Sequence, residues 1–453
     1  MSAEQPYIDL YQQHGDLLSR NSTSVLNAFR DEAFQAFCKQ GFPTRKQEKY
    51  RYTDISKLFE PDYGMNLRRV PVEVNPFEVF RGSVPQLSTS PYFIVNDAFH
   101  TASEGHKALP EGVLVGSLKE LSLRYPDLVS AYYGQLADVH ADGITAFNTA
   151  FVQDGFFVYI PRNVVMEHPL QLINLMRSEI DMMVNRRILV VLEAGAQLRL
   201  LACDHALEGS KSLATQVVEV FVGAGAVFDY YELEETTSQH VRLSQLYVRQ
   251  EADSQVLLNG MTLLGGVTRN TTSVRLVGEG ASLRAYGMAI EDGEQVVDNQ
   301  VYVEHAVPHC TSNQLYKYVL DHRSIGAFAG LVKVLPGAHH TESQQTNRNL
   351  CATREARMYT QPQLEIYNDD VMCSHGATVG QLDEAALFYM RQRGISEKEA
   401  RLLLMFAFVD DVIDAVQIDT LKERLRQLVE LRFRGELGKA CASCGICRKG
   451  VLV

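Results

Sequence analysis

Short runs of alternating or clustered apolar residues dominate the middle of the chain. From about residue 156 to residue 368, segments such as FFVYIP, RILVVLE, VVEVFVG and QVYVEH are separated by glycine-rich turns. Valine, isoleucine, tyrosine and phenylalanine in units of this length predict β-strands. This region is therefore predicted to consist of many short strands in succession.

Small residues recur in the turns between these strands at intervals of about 28 residues. They are Ala196, Ala226, Asp253, Ala281 and Ala338, with one missing step expected near His309. A constant repeat of strands and tight turns is typical of a chain that winds into stacked coils. We therefore predict a mainly β protein with a parallel β-helix of about eight coils over residues 151–380. A β-sandwich is the alternative, but the absence of an obvious hairpin turn between the strands makes it less favoured.

The pattern becomes helical on both sides of this core. Residues 1–150 are predicted to form a mixed cap domain, with helices up to about Glu60 and another helix around residues 117–135. After residue 380, Asp383 can cap a helix that ends at Gly394, and Ser396 with Glu399 forms a capping box for the next helix. Residues 381–437 are therefore predicted to be a small helical domain, followed by a tail at 438–453.

Charge and hydropathy exclude several classes of partner. The chain of 453 residues is 46% hydrophobic, and its net charge is −12. An acidic protein is not attracted to nucleic acid or to anionic lipid surfaces. The longest apolar run, LLLMFAFV, is far shorter than the roughly 20 residues that span a bilayer. Because the first residues show neither a basic flank nor an apolar stretch, no secretory signal is predicted and a cytoplasmic location is expected.

The sequence CSHG, at the end of the predicted solenoid, is the first candidate site. Cys373 and His375 are two residues apart, so in an extended strand they share one face and can address one ligand. Thiolate and neutral imidazole both suit iron and zinc. A buried thiol next to a hydrogen-bonded ring is the structural alternative, and a Cys–His hydrolase lacks a recognisable orienting residue.

The second candidate is the tail sequence CASCGIC. Cys441, Cys444 and Cys447 are spaced so that they can converge on one metal ion or cluster. Zinc sites and cubane clusters normally take about four protein ligands, and no fourth is nearby. An exposed arm without a ligand is equally compatible with this sequence.

Three stretches give the sequence a family resemblance. Residues 302–351 (YVEHAVPHCTSNQLYKYVLDHRS and onward), residues 362–395 around CSHGATVGQLDEA, and PTRKQEKYRYTDI at residues 43–55 closely resemble the SufB/SufD family of iron–sulfur cluster assembly proteins. The resemblance implies a right-handed parallel β-helix between helical domains. Pro362 stands where SufB-type chains carry a cluster-related Cys, and Gly376 stands where they carry a Glu after the His. Both differences indicate a SufD-type member.

The resemblance also implies partners. A homologous SufB-like subunit and the ATPase SufC are expected to bind, with a sulfur-donor system acting indirectly. A nascent iron–sulfur cluster would form at the seam of the two solenoids beside His375 and Cys373, and no tightly bound cofactor is expected in the isolated chain. SufC is expected to dock on the C-terminal helices, and the candidate residues are Arg401, Phe406 and Asp410.

Two other functions remain open from the sequence. The chain could be a purely structural scaffold without cluster ligands, and in isolation it could form a homodimer through its exposed solenoid edge. A β-helix enzyme acting on carbohydrates is less favoured, because such enzymes need acids and bases clustered along an exposed groove. The family resemblance, by contrast, implies a non-catalytic subunit of an ATP-driven assembly complex.

Overall fold

The computed structural model describes residues 2–72, 74–76, 90–100, 108–206 and 209–437. The tail at 438–453, whose three cysteines are a candidate metal or cluster site, lies outside the described residues. The helices are α1 Gln5–Arg20, α2 Ser24–Asn27, α3 Arg30–Gln40, α4 Ile55–Leu58, α5 Leu118–Arg124, α6 Pro126–Ser130, α7 Gly143–Phe151, α8 Glu384–Gln392, α9 Glu397–Asp414 and α10 Asp419–Arg434. None of the helices in these ranges is both long and apolar enough to span a bilayer.

The strands form a ten-stranded and a nine-stranded sheet. Their bounds are β1 Ser90–Val95, β2 Ala98–His100, β3 Leu114–Ser117, β4 Phe156–Ile160, β5 Leu170–Met176, β6 Met182–Leu192, β7 Gln197–Ala206, β8 Ser212–Val222, β9 Val227–Glu235, β10 His240–Gln250, β11 Gln255–Leu264, β12 Val267–Leu276, β13 Ser282–Glu291, β14 Val296–His305, β15 Thr311–Leu320, β16 Ile325–Val334, β17 Thr341–Cys351, β18 Arg357–Ile366 and β19 Val371–Gly380.

Successive strands alternate between the two sheets, which is the topology of a solenoid. From β4 onward the even-numbered strands pair in parallel in one sheet, and the odd-numbered strands pair in parallel in the other. Each coil therefore contributes one strand to each sheet, and there are about eight turns. This confirms the predicted parallel β-helix. The ten-stranded sheet also contains β1 and β2, which come from the predicted N-terminal cap and pair beside β5.

A ladder of left-handed residues makes the recurrent turns. Gly195, Gly225, Asp253, Gly280 and His309 all have positive φ, between 56° and 74°. In each case the backbone N–H donates to a carbonyl oxygen of the next coil, at distances of 2.8 to 3.4 Å. His309 occupies the step that the sequence repeat left vacant, which confirms the repeat. The small residues that follow the glycines are needed because their side chains are fully buried inside the coil: Ala196, Ala226 and Ala281.

The space between the two sheets has an apolar side and a charged side. The apolar side is one continuous cluster of valine, leucine, alanine and aromatic side chains from both sheets. On the other side Arg186 and Arg242 both bind Asp204, at 2.7 and 3.0 Å, and Arg242 also pairs with Glu232. Because Arg186 and Arg242 belong to the even-numbered sheet and the two acids to the odd-numbered one, these pairs bridge the interior. Paired charges are the usual condition for burying ions.

The flanking helices cover one outer face each. The N-terminal helices and α7 pack aromatic side chains against Met183, Leu213 and Leu243 of the nine-stranded sheet. Of the three C-terminal helices, α9 packs against β13 and β15 of the ten-stranded sheet, α10 packs against β11, and α8 packs against α9. The predicted caps are confirmed: Asp383 accepts from two backbone N–H groups of α8, and Ser396 accepts from that of Glu399. Within the described ranges, these helices leave the outer face of β19 uncovered.

Candidate partner interface at the terminal coil

The solenoid ends on two strand edges. β19 is the outermost strand of its sheet and pairs with β17, while β18 is the outermost strand of the other sheet and pairs with β16. Large apolar side chains are exposed along this end: Ile366, Tyr367, Met372 and Val379, which are 40% to 67% accessible. An edge with unpaired backbone groups and apolar side chains is a template for pairing with another chain.

Cys373 and His375 lie on the same face of β19. Their register partners on β17 are Ser343 and Gln345, which are buried in the interior. The two side chains therefore continue the inner face of the solenoid onto its last strand. No further coil among the described residues covers them, so His375 is exposed while Cys373 is half-buried. Residues two apart on a strand are separated by about 6.6 Å.

The thiol of Cys373 is held in its neutral form. It packs beside the small apolar cluster of Val332, Val334 and Ala338. Burial raises the pKa of this thiol above its usual value, and a hydrogen bond with the backbone of Ser343 only partly opposes the effect. A neutral thiol is a poor nucleophile and a poor ligand. Cys373 would therefore become a ligand only when a metal ion competes for its proton.

The terminal coil supplies only part of a metal-binding set. Within the described ranges, no group of three or more His, Cys, Asp and Glu side chains is placed to hold a metal ion. An iron–sulfur cluster usually takes about four protein ligands. The imidazole and the thiol can thus form one side of such a site, and the remaining ligands would come from another chain.

A polar network lies directly beneath His375, and sequence reasoning missed it. Gln345 donates its amide N–H to Gln314 at 3.1 Å, while Asn347 accepts from Asn349 at 2.6 Å and from Thr360 at 2.7 Å. The first bond joins β17 to β15 of the preceding coil, the second lies within β17, and the third joins β18 to β17. The available signal was the sequence ESQQTNRN in β17, where inward positions are polar instead of apolar. This sequence resembles a loop because it lacks the alternation of apolar and polar residues that usually identifies a strand.

The N-terminal signature motif also reaches the terminal coil. The ring of Tyr52 stacks on that of Tyr359 in β18, with centroids 4.4 Å apart. Glu48 accepts a hydrogen bond of 3.1 Å from Gln361 of the same strand. Two coils earlier, on β14, Asp298 accepts a hydrogen bond of 2.7 Å from the hydroxyl of Thr53. We call residues 48–53 the strap, because they fasten the cap domain along the outer face of the nine-stranded sheet.

The predicted docking residues on α9 are engaged within the chain. Arg401 donates to the carbonyl oxygen of Ala352 at 2.8 Å, and Asp410 accepts from Arg426 at 3.0 Å. Phe406 packs against the apolar core between the helices and the sheet. Their role in docking stays a prediction. The large apolar side chains that these helices do expose are Phe388, Tyr389 and Leu403.

Three histidines near the turns, His305, His309 and His340, serve the solenoid itself. His305 is buried and bonds the hydroxyl of Ser312 at 2.9 Å. His309 and His340 stack with ring centroids 4.7 Å apart on the turn ladder, each beside a carboxylate. The nitrogen lone pairs of two stacked rings lie in nearly parallel planes, so they do not point to a common metal ion. His309 and His340 are thus turn residues, and His305 is a buried residue at the end of β14.

Comparison with known proteins identifies the family. A sequence model described as the SufBD protein N-terminal region matches residues 1–172, and one described as the SufBD core domain of the SUF system for FeS cluster assembly matches residues 174–408. An iron–sulfur cluster assembly SufBD family protein of Synechocystis is 28% identical over 425 residues, which is 92% of this chain and 93% of that protein. The iron–sulfur cluster assembly protein SufD of Escherichia coli is 27% identical over 407 residues, 88% of this chain and 92% of its own length. SufD of Bacillus subtilis is 25% identical over 72% of this chain and 75% of its own length. The chain belongs to the SufBD family of iron–sulfur cluster assembly proteins and is SufD-like.

Proposed function

We propose that this chain is the scaffold subunit of a SufBCD-type complex in the cytoplasm. It pairs through its terminal coil with a SufB-like homologous subunit, and it carries a SufC-like ATPase on its C-terminal helices. A nascent iron–sulfur cluster is the cargo built at the seam between the two solenoids. The chain itself supplies position and ligands and carries out no catalytic step.

One observation supports this function above the others. The exposed imidazole of His375 stands on the outermost strand, with the thiol of Cys373 on the same face. A homologous solenoid that pairs with β19 would bring its own terminal side chains against this face. Two incomplete ligand sets would then combine into one. β18 contains Pro362 and no cysteine, so this strand offers no thiol to the seam.

The exposed aromatic side chains of α8 support a binding role for the C-terminal helices. Phe388 and Tyr389 are 63% and 60% accessible, and no residue of α8 is buried. Contiguous exposed apolar groups commonly mark protein–protein contacts. If an ATPase binds here, its closure on ATP would move the helices relative to the seam and expose the cluster site.

The test is a comparison of single variants in the assembled complex. The chain is co-expressed with the homologous subunit and the ATPase, purified without oxygen, and loaded with iron and sulfide while absorbance near the thiolate–iron charge-transfer bands is recorded. His375→Ala should leave the complex intact but lower cluster yield about tenfold, since one ligand of about four is lost. His168→Ala is the matched control, because that histidine is exposed at the opposite end of the solenoid.

The double variant of His375 and Cys373 separates this proposal from a purely structural scaffold. A ligand-free scaffold predicts full cluster yield from the double variant as long as the complex forms. Full yield from His375→Ala alone would refute the assignment of the site. Failure of the wild-type chain to bind either subunit would refute the complex itself.

A further inference from the structure

Lys317 is a charged side chain buried between the solenoid and α9. It projects from the outer face of β15, and its side chain is only 4% exposed. Its ammonium group donates to the carbonyl oxygen of Phe408 at 2.7 Å and to a carboxylate oxygen of Asp411 at 2.5 Å. It also lies 5.1 Å from the centroid of the Phe408 ring. Lysine is almost never buried without partners of this kind.

These contacts fix α9 on the sheet in a way that its apolar contacts do not. Val409, Val412 and Ile413 pack against β13 and β15 through non-directional contacts, over which a helix can slide. The bonds of Lys317 are directional and fix both the rotation and the height of the helix. Arg401 adds a second attachment, at the carbonyl oxygen of Ala352 just beyond β17. The helix is thereby fastened to two successive coils.

The attachment lies close to the candidate cluster site. In the ladder, Lys317 is in register with Arg348 of β17, and Arg348 is in register with Thr378 of β19. Thr378 is three residues from His375 along β19. Two strand spacings and three residue rises place Lys317 about 14 Å from the backbone of His375. The intervening strands pair residue by residue over ten positions, so they move as one sheet.

We propose that Lys317 is a positioning residue that couples movement of the C-terminal helices to the terminal coil. When a nucleotide-dependent partner displaces α9, the tether between Lys317 and the Phe408–Asp411 segment carries β15, β17 and β19 with it. Without the tether, α9 slides over the sheet and the seam stays closed. This inference rests on the proposed function, because it requires a partner that moves these helices.

The test uses the complex with the homologous subunit and the ATPase. Lys317→Met keeps the straight apolar stem and removes the charge. Deuterium uptake of β19 is measured with and without a non-hydrolysable ATP analogue, together with the rate of ATP hydrolysis and the cluster formed per ATP. Lys317→Met should abolish the nucleotide response of β19 and lower cluster per ATP about tenfold, while hydrolysis stays within about twofold of wild type.

Two further variants keep the result decisive. Asp411→Asn weakens the same tether from its exposed side, where the carboxylate is 56% accessible, and is used if Lys317→Met does not fold. Lys422→Met is the matched control, because Lys422 pairs with Asp414 within the helical domain. Wild-type behaviour of Lys317→Met, or of Asp411→Asn in its place, overturns the tether. A wild-type complex that fails to assemble, or that forms no cluster, overturns the proposed function and the tether together. A working complex whose β19 does not respond to nucleotide overturns the tether alone.

Discussion

The carboxyl group of Glu234 gives the solenoid a pH-dependent stability that one substitution should remove. Glu234 lies on the charged side of the interior, where Thr268 donates to its carboxylate at 2.9 Å. Burial raises the pKa of Glu234 to about 7 from an ordinary 4.5. The charge of Arg242 opposes this effect, while the nearby Asp204 and Glu232 add to it. Glu291, whose pKa is also raised by burial, is a further acid of the same group.

Between pH 4.5 and about 7 the folded chain keeps a proton that the unfolded chain has already lost. Stability therefore falls as the pH rises through this window. The difference in pKa corresponds to about 3 kcal/mol of stability in full, and most of it, about 2–3 kcal/mol, is lost between about pH 5 and pH 8. Glu234→Gln preserves the shape and hydrogen-bonding capacity of the side chain but cannot ionise. The stability of this variant relative to wild type should therefore increase by about 2–3 kcal/mol between about pH 5 and pH 8.

Urea unfolding at the two pH values, followed by circular dichroism, measures this change. Comparing the variant with wild type at each pH cancels any constant packing cost of the substitution. Glu235→Gln is the matched control, since Glu235 follows on the same strand but is half-buried on the other face. The stability of this control relative to wild type should change by less than about 0.5 kcal/mol between the two pH values. A Glu234→Gln variant whose stability relative to wild type is the same at both pH values would refute the reasoning.

Three further outcomes are expected. Glu219→Ala leaves the buried Arg187 without its carboxylate partner, which is 2.6 Å away, and should lower the free energy of unfolding by about 3–5 kcal/mol. Glu251→Ala breaks only an exposed ion pair and should cost less than about 1 kcal/mol. Equal losses of the two variants in urea titrations would contradict this expectation. Burial lowers the pKa of His240 to about 3, so the imidazole is protonated at higher pH in the unfolded chain than in the folded one, and stability is lost as the pH falls below 6.5. His240→Asn should therefore shift the midpoint of acid unfolding to lower pH. An unchanged midpoint would exclude a contribution of His240 to acid unfolding. Tyr52→Ala removes the ring stacking on Tyr359, which is worth about 1 kcal/mol, and should speed amide hydrogen exchange in β18 but not in β10. The same change of exchange rate in both strands would show that the strap does not hold the terminal coil.

The sequence predicts the features of this fold that repeat or that lie close together along the chain. The turn spacing locates the coils because a left-handed residue and a small buried one must recur wherever the chain turns, as at Gly225 and Ala226. The caps at Asp383 and Ser396 are local hydrogen bonds, so their spacing alone reveals them.

The interior charges are not predictable in the same way. Arg186 and Arg242 appear in the sequence as ordinary polar positions of strands, and the pairing with Asp204 depends on which coils come together. The same applies to Arg401 and Asp410, which look like solvent-facing residues of a helix. Because α9 packs against both the sheet and α10, these side chains find partners far along the chain, at Ala352 and Arg426.

The strands next to the candidate site are fixed by contacts with the flanking segments, whereas the strand that carries the site is not. The strap fastens β18 from one side through Tyr52, and α9 fastens β15 and the end of β17 from the other through Lys317 and Arg401. Among the described residues, β19 receives none of these contacts, and one of its edges pairs with no strand. A free edge with exposed apolar side chains associates when it is not protected. The isolated chain should therefore form a concentration-dependent homodimer, and a charge placed on the edge, as in Val379→Lys, should make it monomeric in sedimentation experiments. A wild-type chain that remains monomeric at high concentration would argue that the terminal coil is not an interface.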